Sequence, residues 1–248
     1  MNQKEKFFLF IKKFCNLNNH GNIDSKVVLD FGSGSGKLTD ILRQKGIDAY
    51  GVDFYREGKV VPNYCSKITL DVNNNIPYTI PFESNFFDLT VSNNVFEHVM
   101  DYERTLYELS RVTKKNGISI HFFPSRYKLI EPHVEIPGAT IFQSIPYLKS
   151  WIWYSRAVKY RGEYFDKLSN LELAVHHQKK LKNGCNYLTG KQILKHCKNH
   201  FSEAYFIDRD FFKFWPGKIS IFYNIGVFFP LLFTIHSIFR MKILFLKK

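Results

Sequence analysis

The sequence predicts an α/β fold wound on both faces of a mostly parallel sheet, and three observations lead there. The apolar run Val27-Val28-Leu29 closes on Asp30 and passes into three glycines at alternate positions, Gly32, Gly34 and Gly36. Further short apolar runs follow at Ala49 to Asp53, Ile68 to Asp71 and Phe86 to Ser92, the first two again ending in an acid. Stretches with helical periodicity lie between and after them, the alternation expected where parallel strands need crossovers.

Each element follows in chain order. Lys4 to Asn16 carries Phe7, Phe8, Phe10, Ile11 and Phe14 at helical spacing, which predicts an amphipathic helix placed to cover a cofactor. The first strand and the glycine loop lead into a helix over Leu38 to Lys45. The fourth strand runs into Asn93-Asn94-Val95-Phe96-Glu97-His98-Val99. A helix over Tyr102 to Thr113, stopped by Asn116-Gly117, precedes a strand from Ile118 to Phe123. Further on, Asn183-Gly184 reads as a turn, Thr189 as the cap of a helix from Gly190 to Asn199, Ala204 to Asp208 as a strand, and Met241 to Leu246 as the closing strand.

The glycine loop narrows the ligand. Glycine reaches positive φ and carries no Cβ, so a chain can turn sharply and press its backbone on a nucleoside. A dinucleotide fingerprint needs a glycine where Lys37 stands, and a phosphate loop needs a longer gap and a hydroxyl where Leu38 stands. Both NAD-type and ATP-type binding are therefore disfavoured. Asp53 stands 17 residues past Gly36, where a carboxylate can accept from ribose hydroxyls. Asp71 sits where an adenine amine can donate to it.

From about Asp24 to Pro124 the chain resembles the class I S-adenosylmethionine-dependent methyltransferases, and within them the branch with quinone-biosynthesis and sugar or polyketide methyltransferases. The resemblance runs through Asp30 to Gly36, Gly51-Val52-Asp53, Asp71, Pro81-Phe82 with Phe87-Asp88, Phe96-Glu97-His98-Val99, and Glu108 to Gly117 leading into Ile118 to Phe123. It implies a seven-stranded, Rossmann-like sheet, elaborated by a helical insertion and an apolar C-terminal helical segment. It also implies S-adenosyl-L-methionine held by Asp30, Gly32, Ser33, Gly34, Gly36, Asp53, Phe54, Asp71, Val72 and Asn93.

A chain of 248 residues, 45% hydrophobic and 23% charged, fits one α/β unit with an elaboration. The expected division is a cofactor-binding core over 1–145, a basic aromatic insertion or substrate lid over 146–200, and last strands with an apolar helix over 201–248. Cys15, Cys65, Cys185 and Cys197 show no paired spacing, and Lys12-Lys13 interrupt any apolar leader, so a reduced, cytoplasmic setting is expected. The net charge of +13 is uneven: Met1 to Ile145 is nearly balanced, and the excess lies beyond it. A basic elaboration on a neutral core faces something acidic, such as lipid headgroups, a phosphorylated substrate or nucleic acid.

The tail helps to choose. Ile219 to Phe239 is 21 residues without Asp, Glu, Lys or Arg. Its length suits a span, but Pro230 and several polar residues favour a kinked helix or hairpin lying in the interfacial layer of an anionic membrane, with a buried core or dimer helix as the alternative. Tyr147 to Arg156 adds an aromatic, basic patch suited to a membrane interface or a substrate lid.

Because the sulfonium already activates the methyl group, the protein must align an acceptor, exclude water and, for a hydroxyl, remove a proton. The acceptor belongs beyond the carboxyl ends of strands four and five. There Glu131 and His133 flank Pro132, and an imidazole suits proton transfer near neutral pH, making His133 the candidate base unless the segment is a surface turn. His98 is a further candidate, with a backbone-orienting role as its alternative. His121, within an apolar strand, reads as a core histidine. No metal site is expected, since His176-His177 with Cys185, or Cys197 with His200, lack a second pair at a supporting spacing. The expected activity is O-methylation of a sugar, lipid-linked or prenylated small molecule, with peripheral attachment at the inner face of the cell membrane. An RNA methyltransferase or a non-catalytic cofactor-binding interaction protein is the alternative; Ser92-Asn93-Asn94-Val95 lacks the stretch typical of exocyclic-amine methylation, and the apolar tail suits lipid better than nucleic acid.

Overall fold

The computed structural model describes residues 1–54, 62–68, 78–158, 167–217, 223 and 230–248. Seven strands form one sheet: β1 (Val27–Phe31), β2 (Asp48–Phe54), β3 (Cys65–Ile68), β4 (Phe87–Asn93), β5 (Thr113–Pro124), β6 (Glu203–Phe206) and β7 (Met241–Lys247). Their spatial order is β3-β2-β1-β4-β5-β7-β6. The first five run parallel, and β7 lies antiparallel between β5 and β6. This is the seven-stranded, mostly parallel Rossmann-like sheet expected from the sequence. The order reverses between β1 and β4, so the crevice for a ligand opens beyond Phe31 and Asn93.

Helices cover both faces. Helix α1 (Gln3–Leu17) starts with a reciprocal cap between Asn2 and Glu5 and buries Phe7, Phe8, Phe10, Ile11 and Phe14. Its aromatic face packs on the sheet: Phe7 and Phe10 set their rings 4.8 and 4.9 Å from that of Phe122, edge to face. Helices α2 (Lys37–Gln44) and α3 (Tyr102–Val112) complete the crossovers. Beyond β5 come α4 (Ile145–Ala157), α5 (Asn170–Gly184) and α6 (Gly190–Cys197), the last capped by Thr189 as its sequence predicts. A second small core joins α4 and α5 to the preceding loop through Val134, Ile136, Ala139, Leu148, Ile152, Leu173, Ala174 and Leu181.

Several boundaries differ from the sequence expectations. Asn116-Gly117 lies inside β5, where Asn116 takes φ 64° at an irregularity, because Val112 hands the chain directly to the sheet. Asn183-Gly184 closes α5 instead of forming a separate turn. Asp208 leaves the strand to begin α7 (Asp208–Phe214), accepting from the Ile243 N–H at 2.7 Å. The third strand starts at Cys65, upstream of the Ile68-to-Asp71 run, most of which lies outside the described residues. Pro230 opens α8 (Pro230–Phe239), the position where its missing N–H costs nothing; of the expected kinked helix or hairpin over Ile219 to Phe239, residues 219–222 and 224–229 lie outside the described residues. One side of α8 packs on α7, with Phe233 against Phe212 and His236 stacked on Phe211, while Leu231, Ile235 and Phe239 are exposed. Among the described residues no helix is long and apolar enough to cross a membrane.

Candidate active site

At the end of β1 the chain turns at once, with Gly32 at φ 74° and Gly34 at φ 64°. The two glycines answer different demands. A Cβ on Gly32 would lie 2.3 Å from Cγ2 of Val95, so Gly32 is small because the loop after β4 packs on it. A Cβ on Gly34 would meet nothing within 4 Å among the described residues, so that stretch of backbone fronts open space. Gly36 caps α2 at φ 82°, closely flanked by Pro62 and Cys65.

Asp53 closes the far side of the loop. Its Oδ2 accepts from the Gly34 N–H and its Oδ1 from the Phe54 N–H, both at 2.8 Å. A carboxylate has about four acceptor positions, so ribose hydroxyls can share it. The Ser33 N–H donates to the Val52 carbonyl at 3.0 Å, fixing the loop to β2. Asp30 turns beneath the loop, almost fully buried, and accepts from the Thr39 hydroxyl at 3.0 Å. Burial pushes its carboxyl up to about 6 against the opposing pull of Lys4 and Thr39. Asn93 ends β4 at the crevice, and Phe54 sets its ring 5.1 Å from that of Tyr78. Asp71 and Val72 lie outside the described residues.

A polar cluster stands on the other side. Glu131 is fully buried, and its Oε2 accepts the backbone N–H groups of His133 and Val134 at 2.6 and 2.7 Å. Its Oε1 accepts from the Tyr187 hydroxyl and lies against His133 Nδ1, both at 2.6 Å. Burial would raise this carboxyl, but the hydrogen bonds from His133 and Tyr187 outweigh it and hold Glu131 below the usual range. His133 in turn meets His98, with the two Nε2 atoms 3.1 Å apart. Cys185 Sγ approaches His133 Nδ1 at 3.6 Å. The Cys185 sulfur and then the Glu131 carboxylate raise the His133 imidazole to about 10, so at neutral pH this ring carries a proton. Cys185 first, then the Gly184 carbonyl and the Glu97 carboxylate, push His98 up, and although burial resists, both imidazoles draw the Cys185 thiol down.

Three separate segments supply this cluster. Val95, which covers Gly32, leads directly into the short 3-10 turn Phe96–His98, so cradle and cluster share one loop. Asn186 ties the far segment to that turn: its N–H donates to the Glu97 carbonyl at 2.7 Å and its side-chain amide to the Val99 carbonyl at 2.9 Å. Cys185 and Tyr187 flank this tether and both reach Glu131 or His133.

The predicted residues His98, Glu131 and His133 thus come together, and Cys185 joins them instead of His176 and His177. His200 bonds Glu103, at 2.7 Å, and Cys197 is buried in α6. His121 is a core residue, sharing a 2.8 Å hydrogen bond with Ser92. Sequence reading misses Tyr187 and Glu97. The latter is 2% exposed with an Oε2 that has no hydrogen-bond partner among the described residues, and burial pushes its carboxyl up. Its only sequence signal is its place before His98 at the mouth of β4.

Residues 29–121 match a family model described as a methyltransferase domain. No curated protein matches the sequence significantly. Among solved structures, an S-adenosylmethionine-dependent methyltransferase from Mesorhizobium loti is similar over 96% of this chain and 98% of its own, at 11% identity and a TM-score of 0.50. A phosphoethanolamine N-methyltransferase from Haemonchus contortus, in complex with S-adenosyl-L-methionine, aligns over 99% of this chain and 52% of its own at 13% identity and a TM-score of 0.47. A geranyl diphosphate C-methyltransferase from Streptomyces coelicolor aligns over 96% and 75% at 11% identity and a TM-score of 0.45. Likeness at such identity speaks to the fold alone. Residues 29–121 thus resemble a methyltransferase domain, the chain shares the fold of an S-adenosylmethionine-dependent methyltransferase, and S-adenosylmethionine is the cofactor consistent with these likenesses.

Proposed function

We propose that this protein transfers the methyl group of S-adenosylmethionine to a hydroxyl of a sugar, or of a lipid-linked or prenylated small molecule. The observation that carries the reading is the meeting of His98, Glu131 and His133 beyond the carboxyl ends of β4 and β5, one turn away from the loop that packs on Gly32. In this reading Gly32, Ser33, Gly34 and Gly36 receive the nucleoside, Asp53 accepts from its ribose, and Asp30, Phe54, Asp71, Val72 and Asn93 complete the cradle. The sulfonium supplies the activated methyl group. The protein's own task is to hold an oxygen in line with the S–CH₃ bond, to keep water out and to dispose of the hydroxyl proton.

Glu131 orients His133 through Nδ1, which leaves Nε2 as the nitrogen that takes a proton. His133 does so only after shedding the proton that Cys185 and Glu131 help it to hold. An oxygen acceptor is favoured because a hydroxyl needs this proton removal, and a buried Glu–His pair at the mouth of the crevice supports it.

An anionic membrane surface is the proposed partner. Leu129, Ile130, Phe142 and Trp153 are exposed on the chain after β5, and the Leu129 N–H donates to the carbonyl of Phe239, itself exposed at the end of α8. Apolar side chains there, within a basic half of the chain, suit a peripheral enzyme meeting lipid-linked substrates. Incubation with tritiated methyl donor and separated lipid, glycan and RNA fractions tests the whole reading. Label is expected in lipid or glycan; label in RNA sinks the acceptor assignment, and cofactor binding with no transfer to any fraction sinks the enzymatic one.

A further inference from the structure

The ring nitrogens of His98 and His133 are occupied in a revealing way. His98 Nδ1 lies 2.5 Å from the Gly184 carbonyl, which can only accept, so the proton of the neutral ring sits on Nδ1. His133 Nδ1 lies 2.6 Å from an ionised Glu131 and donates as well. Both Nε2 atoms then present lone pairs to each other across 3.1 Å. Facing lone pairs repel unless a cation lies between them, and either a proton or a metal ion can fill that place. A third donor is at hand, since the ligand atoms of His98, His133 and Cys185 all lie within 4.8 Å of one another.

We propose that His98 Nε2, His133 Nε2 and Cys185 Sγ form a site for a zinc-like divalent ion with a fourth position left open. Tetrahedral Zn–N bonds of about 2.0–2.1 Å place two nitrogens about 3.3 Å apart, so the imidazoles need to separate by only about 0.2 Å. A Zn–S bond of about 2.3 Å places sulfur about 3.6 Å from each nitrogen; Cys185 Sγ lies 3.6 Å from His133 Nδ1, so binding requires it to turn towards the Nε2 side. Two imidazoles and a thiolate suit zinc or cobalt, not magnesium or calcium. The supports that metal-bound histidines require are present: Glu131, itself held by Tyr187, and the Gly184 carbonyl fix both tautomers with Nε2 outward. On binding, the ion displaces the proton held between the imidazoles and the thiol proton of Cys185, and both pass to solvent.

Three segments distant in sequence build the site, which is why no ligand spacing reveals it. The open position gives the site a use: with the ion bound, His133 Nε2 is a ligand and no longer the base, and a hydroxyl at the open position is acidified by the ion instead, its proton passing to solvent. The metal site stands on its geometry alone, whereas that use rests on the O-methyl-transfer reading above.

Full-length protein stripped of metal and then titrated with cobalt(II) tests the proposal. One equivalent of cobalt is expected to produce tetrahedral d–d bands and a thiolate-to-cobalt charge-transfer band, and zinc is expected to abolish both with a stoichiometry of one. Cys185→Ser should erase the charge-transfer band, and Glu131→Gln should weaken zinc affinity about 10–100-fold. His196→Ala, on the far side of α6, should change neither. Circular dichroism monitors folding, and His98→Asn serves in place of any variant that does not fold. Native protein that takes up no stoichiometric zinc and shows no cobalt band overturns the site, as does a charge-transfer band indifferent to Cys185→Ser. Calorimetry with S-adenosylhomocysteine on the same samples separates the two proposals. Metal binding without cofactor binding removes the methyl-transfer reading and leaves the metal site, and the reverse result removes the site alone.

Discussion

His121 and His133 stand on the same stretch of chain, yet the sheet and the loop beyond it drive them in opposite directions. His121 is fully buried in β5, where loss of hydration pushes its imidazole down to about 3. His133 is half-buried beside Cys185 and the Glu131 carboxylate, which carry it up to about 10. The sheet tolerates a histidine by keeping it neutral among Phe96, Ser92 and its strand neighbours. The cluster after β5 instead stabilises positive charge with a buried anion. One region is held by apolar packing and the other by hydrogen bonds to Glu131, so each should fail in its own way.

The largest expected effect lies in the cluster. His133→Ala should lower kcat by about 10²–10⁴-fold while leaving S-adenosylmethionine affinity unchanged, as read by label transfer and calorimetry. Asp53→Ala should do the converse, weakening cofactor binding in the same calorimeter; unchanged turnover in the first variant would take His133 out of the chemistry. Next comes Gly32→Ala, which adds a left-handed backbone penalty to a collision with Val95 and should cost about 2–4 kcal/mol in urea unfolding. Val95→Ala in that background should return about 1 kcal/mol, since it removes the colliding methyls. No recovery would mean that the backbone conformation alone makes Gly32 necessary.

A smaller effect separates the histidines by pH. The native state refuses a proton at His121 that the unfolded chain accepts near 6.5, so stability should fall as pH drops from about 6.5 towards 3. At pH 5 this amounts to about 2 kcal/mol. His121→Gln, which can keep a bond to Ser92, should remove that share of the loss between pH 7.5 and 5, and an identical slope in both proteins would show that His121 does not carry it. The smallest effect is at the surface. Replacing Phe142 and Trp153 by Ser should weaken binding to phosphatidylglycerol vesicles about tenfold without altering turnover on a soluble acceptor; undiminished binding would move the membrane contact elsewhere.

Most of the scaffold is legible in the residues themselves. The strand-acid-glycine pattern from Val27 to Gly36, the acid at Asp53 and the Ile118-to-Phe123 run locate β1, β2 and β5, because short, continuously buried runs and left-handed turns are properties of short segments. Even the closing strand is readable, since Ile243 to Leu246 is an apolar run between Lys242 and Lys247. The error falls where a neighbour decides: Asn116-Gly117 looks like a helix stop until Thr113, ahead of it, is seen to pair with Phe87 of β4 and begin the strand. The reason for Gly32 is hidden for the same cause, because Val95 is 63 residues away in sequence.

The chemistry divides along this line. Local sequence was sufficient for the sheet, for the turn that brings Gly34 to Asp53, and for nominating His98, Glu131 and His133, because short apolar runs, glycine conformation and the strand-end position of ligands are short-range facts. The tethering of Cys185 and Tyr187 by Asn186, the direction of every imidazole nitrogen and the charge of His133 arise only in the folded chain. They depend on which groups face each other across a few ångströms, and no spacing along the polypeptide carries that distance.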